Sequence, residues 1–147
     1  MAKYKKDIVN YETAKELYRF GFKLGSLSHY HMYDDTFIYD DDENHPESHK
    51  KGEIVLYDIW HKNDESKELS FEAPTFYQLQ NYFFDKHDIV FTVFHDYNYN
   101  GELEFICKIS NNKTKKTISF QTNYNTYYDS FCQGIIALIS ILNNKEL

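Results

Sequence analysis

The chain has 147 residues, with 23 Asp and Glu against 16 Lys and Arg, for a formal net charge of −7. That length suits one domain, which at this size buries roughly two-thirds of its unfolded surface and needs no staples. The acidic balance disfavours nucleic-acid binding through a broad basic face, and the longest apolar run, Gly134 to Leu142, falls well short of the ~20 residues of a membrane span.

Met1 to Asp7 is short and basic with no hydrophobic region behind it, so a soluble, cytoplasmic chain is expected. Asn10 is a helix N-cap candidate, and Tyr11, Ala14, Leu17 and Tyr18 follow at helical spacing. Gly21 then supplies a stop, because glycine takes the left-handed conformation that closes a helix. Leu27 to Tyr39 predicts two short strands with Asp34-Asp35 turning between them. Asp40 to Lys51 holds Pro46 and almost no apolar residues, which predicts an exposed loop. Glu53 to Trp60 predicts a third strand, and His61 to Ser70 is polar again.

Thr75-Phe76-Tyr77-Gln78 fits a capping box, with Pro74 placed just ahead where it interrupts nothing. Phe76, Leu79, Tyr82 and Phe83 form the apolar stripe of this second helix, which runs out at Lys86-His87. Ile89, Phe91 and Val93 alternate, Asn100-Gly101 signals a hairpin, and Leu103, Phe105, Cys107 and Ile109 line one side of the return strand. Asn111-Asn112-Lys113 turns the chain into a further strand marked by Ile118 and Phe120. Thr126-Tyr127-Tyr128-Asp129 opens a last helix, apolar around most of its circumference, in which Ile135, Leu138, Ile139 and Leu142 should be nearly inaccessible. The order α-β-β-β-α-β-β-β-α predicts a single α+β domain over 1–147, an antiparallel sheet with its helices mainly on one face.

Three stretches together carry a resemblance. They are Glu12-Thr13-Ala14 through Leu17 to Gly21-Phe22; Ala73-Pro74-Thr75 with Gln78, Tyr82, Phe83 and Lys86-His87; and Tyr127-Tyr128 through Cys132 to Ile139 and Leu142. Their order and spacing resemble a group of small uncharacterised proteins carried mainly by phages, prophages and mobile elements of Bacteroidetes. The resemblance implies a phage or mobile-element setting and brings no activity or catalytic residue with it.

Candidate chemistry is sparse. His29 and His31 lie two apart and in a strand would share a face, where Asp34 or Asp35 could complete a zinc or iron site. No second ligand pair accompanies them at defined spacing, so two strand histidines and no bound metal or cofactor are expected. Asp40, Asp42 and Asn44 open like a calcium loop, but His45 replaces the required glycine and Lys51 the bidentate glutamate. His45 and His49 are separated by Pro46 in a polar segment, which argues against a helix that would align them. Cys107 and Cys132 both sit in apolar patterns, as buried free thiols do. No phosphate loop or nucleophile elbow is present, which favours a non-enzymatic role over catalysis.

The aromatic count of 14 Tyr and 12 Phe invites a binding interpretation. It accompanies many Lys, Asn and Ile with Arg19 as the only arginine, the usage that AT-rich codons produce. The placement of charge says more. Asp34, Asp35, Asp40, Asp41, Asp42, Glu43 and Glu47 are seven acids with no Lys or Arg among them, and the other acids balance the bases. That stretch is the candidate protein-binding segment, suited to steering onto a basic protein surface. A phage or mobile-element accessory protein that binds a host or phage protein is the expected function. A structural or assembly component of a virion and a metal-dependent enzyme using His29 and His31 are the alternatives.

Overall fold

The computed structural model describes residues 7–24, 28–31, 36–38, 47–49, 54–56 and 70–147. The chain divides into two compact units, one of Met1–Val9 with Thr75–Leu147 and one of Asn10–Pro74.

In the Asn10–Pro74 unit, helix α1 spans Tyr11–Phe20. The Asn10 side chain accepts from the Thr13 N–H at 2.9 Å, satisfying one of the orphan donors of the first turn. Gly21, at φ 94°, ends the helix as expected. Strand β1 (Ser28–His31) lies between β4 (Ile54–Leu56) and β5 (Ser70–Glu72), antiparallel to both, and β2 (Thr36–Ile38) pairs with β3 (Glu47–His49) as a separate ribbon. The two strands expected within Leu27 to Tyr39 are therefore present but belong to different sheets rather than to one hairpin. The expected loop holds a strand at Glu47–His49, and β5 opens at Ser70, the last residue of the polar stretch from His61. Three-residue strands such as Glu-Ser-His have no alternation to detect; what makes them strands is the partner they pair with.

In the other unit, Thr75 and Gln78 close both halves of the predicted capping box, at 3.1 and 2.9 Å, and open α2 (Phe76–His87). The Phe76 N–H donates to the Asp7 carbonyl at 2.8 Å, and Ile8 bridges Thr75, so the 7–9 segment satisfies a donor that the cap leaves over. Strands β6 (Ile89–Tyr97), β7 (Leu103–Asn111) and β8 (Thr117–Gln121) form an antiparallel meander in that order. Ile89, Phe91, Val93, Phe105, Cys107 and Ile109 are buried on one face of it.

Helix α3 (Tyr127–Asn143) packs on that face against β6 and β7. The Thr126 hydroxyl caps it by accepting from the Asp129 N–H at 3.1 Å, as expected, and donates to the Asp129 carboxylate at 2.8 Å. Phe131 stacks on Phe76 of α2 at 3.9 Å and meets Phe91 of β6 edge-on at 5.0 Å, which joins both helices to the sheet. Ile135, Leu138 and Ile139 are buried as expected, whereas Leu142 is only half-buried and Ile141 takes the inner position. One polar pair lies in this core: Thr122 Oγ1 donates to the Phe105 carbonyl at 3.2 Å and shares a 2.7 Å bond with the Ser130 hydroxyl. Both hydroxyls are satisfied, so their burial leaves no unmet donor or acceptor.

Candidate functional site

β6 and β7 are each nine residues long and run on past their cover. Alternation places Phe91, Val93, His95 and Tyr97 on the helix-covered face, but burial stops after Val93; on the return strand it resumes only at Phe105. Beyond those points the hairpin is exposed except at Asn98 and Glu104, which are half-buried. Tyr97 is 66% exposed, Leu103 opposite it 52%, and Tyr99 at the turn 103%.

The tip is nonetheless well built. The Asn98 N–H donates to the Glu102 carbonyl at 2.8 Å, and the Gly101 N–H donates to the Asn98 carbonyl at 2.9 Å. The Asn98 side-chain oxygen accepts from the Asn100 and Glu102 N–H groups, both at 2.9 Å, while its amide donates to the Glu102 carboxylate at 2.8 Å. Gly101 takes φ 78°, the left-handed step that closes a three-residue hairpin loop. Tyr99 is thus presented by an ordered turn.

Its charge is one-sided. Asp96 and Glu104 face each other across β6 and β7, on the face opposite the helices. Like charges directly opposed in a sheet are destabilising. Among the described residues no Lys, Arg or His pairs with either of them. With Glu102 in the loop, the tip offers three carboxylates beside two tyrosines and a leucine.

The residues singled out from sequence fall elsewhere. Asp34, Asp35, Asp40, Asp41, Asp42 and Glu43 lie outside the described residues, and Glu47 opens β3 opposite Ile38. His29 and His31 occupy alternate positions of β1, in register with Glu72 and Ser70 on β5. Their side chains are not among those described. Among the described residues no three His, Cys, Asp or Glu side chains gather as metal ligands, and no helix is long and apolar enough to cross a membrane.

Cys107 and Cys132 are free and buried, as the apolar patterns around them predict. Burial pushes the Cys107 thiol from 9.0 up to about 11. A thiol held neutral by its surroundings is a poor nucleophile. Native protein should therefore resist alkylation at Cys107 near neutral pH and react on unfolding. The raised value also sets a direction for stability. The neutral thiol's contribution is intact below pH 9.0 and is lost as pH climbs through about 11. Denaturant midpoints measured across that window should fall in the native chain and fall less in Cys107→Ala; equal slopes would contradict the burial.

The sequence does not single out the tip, because AT-rich codon usage accounts for its tyrosines as well as binding does. The signal available was the lapse of β6 alternation into His95-Asp96-Tyr97 while the hairpin continued. No protein-family model matches the chain, and neither a curated protein nor a solved structure does.

Proposed function

We propose that this chain is a non-enzymatic accessory protein of a phage or mobile element that acts by binding another protein through a basic, partly apolar surface on that partner. The observation that carries the reading is the β6–β7 tip, where Tyr97, Tyr99 and Leu103 are exposed beside the facing carboxylates of Asp96 and Glu104. Tyrosine supplies large contact area at low entropic cost, and a surrounding field of one sign steers a partner of the other. Facing acids are a cost to the sheet that a binding role would explain. The seven acids from Asp34 to Glu47 add to the same sign of charge along the sequence. The phage setting rests on the resemblance of the three helical stretches.

Affinity capture from a lysate of the host, followed by kinetics on the purified partner, tests this. Neutralising Asp96 and Glu104, or separately Asp40, Asp41, Asp42 and Glu43, to Asn and Gln should slow association by roughly tenfold at low salt. Dissociation should change less. Raising salt past ~0.15 M should narrow the difference as the Debye length contracts below about 8 Å. Association that ignores both sets of substitutions at low salt would contradict the electrostatic half of the reading.

A further inference from the structure

The two edges of the β6-β7-β8 sheet are treated differently. The Asn112 N–H donates to the Asp88 carbonyl and the Asn98 N–H to the Glu102 carbonyl. Alternation from those pairs turns the odd-numbered backbone groups of β6 outward, away from β7. Two of them are covered: the Gln80 side chain of α2 donates to the Phe91 carbonyl at 3.2 Å, and the Tyr97 N–H donates to the Asp96 carboxylate at 2.8 Å. On the other side, the Thr122 N–H donates to the Phe105 carbonyl and the Asn111 N–H to the Lys116 carbonyl, both at 2.9 Å. The same alternation aims the N–H and C=O of Thr117, Ser119 and Gln121 out of the sheet. Among the described residues nothing bonds to these outward groups.

An open edge is ordinarily blunted by an inserted charge, a proline or a bulge. Thr117-Ile118-Ser119-Phe120-Gln121 has none of these, and its pairing with β7 is regular throughout. Ile118 and Phe120 point to the helix-covered side, yet both remain half-exposed, and among the described residues no further strand lies beyond them.

We propose that this edge pairs with the same edge of a second copy of the chain, antiparallel about a two-fold axis at Ser119, making one six-stranded sheet. The phase of the ladder admits that axis. Ser119 points its backbone outward, so it can exchange two hydrogen bonds with its own counterpart, and Thr117 and Gln121 do likewise with each other across the axis. Ile118 then lies opposite Phe120 of the second copy in the closer, non-hydrogen-bonded type of pair, where side chains interact best. The two apolar side chains left half-exposed in one chain thus cover each other in the pair. The flanking charges also permit it: Lys116 and Lys115 would pass Thr122 and Asn123 of the second copy, so no like charges meet. An isologous contact of this kind closes on itself and does not propagate.

Light scattering on purified native chain tests the pairing. At about 100 μM, where a dimer with Kd below ~10 μM is mostly formed, the expected mass is twice the 17.7 kDa of one chain. Ser119→Pro should return it to a single-chain mass with unchanged circular dichroism, since the nitrogen it alters faces away from β7. Ser119→Glu is the second variant. Ser119 pairs with Lys108 on β7, so a carboxylate is welcome in one chain but faces its own copy across the axis. It too should be monomeric, and mixing it with Ser119→Lys should restore the double mass. A native chain that stays monomeric would overturn the proposal, including the case in which the edge takes a strand only from another protein. A dimer that survives both Ser119→Pro and Ser119→Glu would overturn it equally.

Discussion

Replacing Gly134 with leucine is expected to abolish the native fold, and replacing it with alanine to lower stability by up to about 2 kcal/mol, the strain of overpacking less the helix-propensity gain. Gly134 lies in α3 where the helix passes close to the sheet. A Cβ at this position would come within 2.6 Å of Cys107 Sγ and 2.7 Å of Phe91 Cζ. Neither neighbour can withdraw cheaply. The Phe91 ring is set edge-on against Phe131, and Cys107 Sγ contacts the Ser130 carbonyl at 3.6 Å. Overpacking a dense core typically costs 1–3 kcal/mol, whereas alanine for glycine in a helix interior gains about 1. The sign of the net effect therefore reports how closely α3 lies on β7. Because the nearest atom belongs to Cys107, Cys107→Ala should recover part of the loss in a double-mutant cycle. Stabilisation by Gly134→Ala would mean that the helix stands farther off.

Leu138→Ala should cost about 2–5 kcal/mol, read as a drop in urea midpoint at unchanged slope. Leu138 is fully buried and follows Phe131 and Ile135 along one stripe of α3. Truncation there removes apolar transfer energy and leaves a cavity that a packed helix and sheet cannot fill. Small domains hold only ~5–15 kcal/mol in all, so this one change reaches a large share of it. Leu142, on the same expected stripe but half-buried, is the internal control. Leu142→Ala should cost distinctly less, and equal costs would contradict the burial difference between them.

That difference marks how far the sequence was legible. The helices were legible because their signals are local: the Asn10, Thr75 and Thr126 caps each form the bond that their residue type and spacing predict. The β6–β8 meander was legible because a half-buried sheet imprints a period of two. The termination of that burial was not. Leu103 has the right phase for the covered face and yet is exposed, since the end of the cover depends on where the helices lie and not on the strand. The same holds at Leu142. The short strands β3 and β5 were illegible, and so was the partner of the expected β2, for a related reason. Three residues cannot show a period, and the choice of partner, β1 with β4 and β5 rather than with β2, is a tertiary outcome. The candidate tip combined both problems, a legible Asn100-Gly101 turn with aromatics whose exposure only the fold reveals.

Dissociation of the captured partner from a Tyr97→Ser, Tyr99→Ser double variant tests most directly whether the hairpin tip is where this protein acts. Both side chains are exposed, so the variant should melt within a few degrees of the native chain, as surface substitutions usually do. If the tip anchors the partner, dissociation should quicken at least tenfold, equivalent to about 1.4 kcal/mol or more of binding energy. The association rate, set by charge, should hardly move. A variant that keeps its fold and releases the partner at the native rate would contradict the assignment of function to the tip.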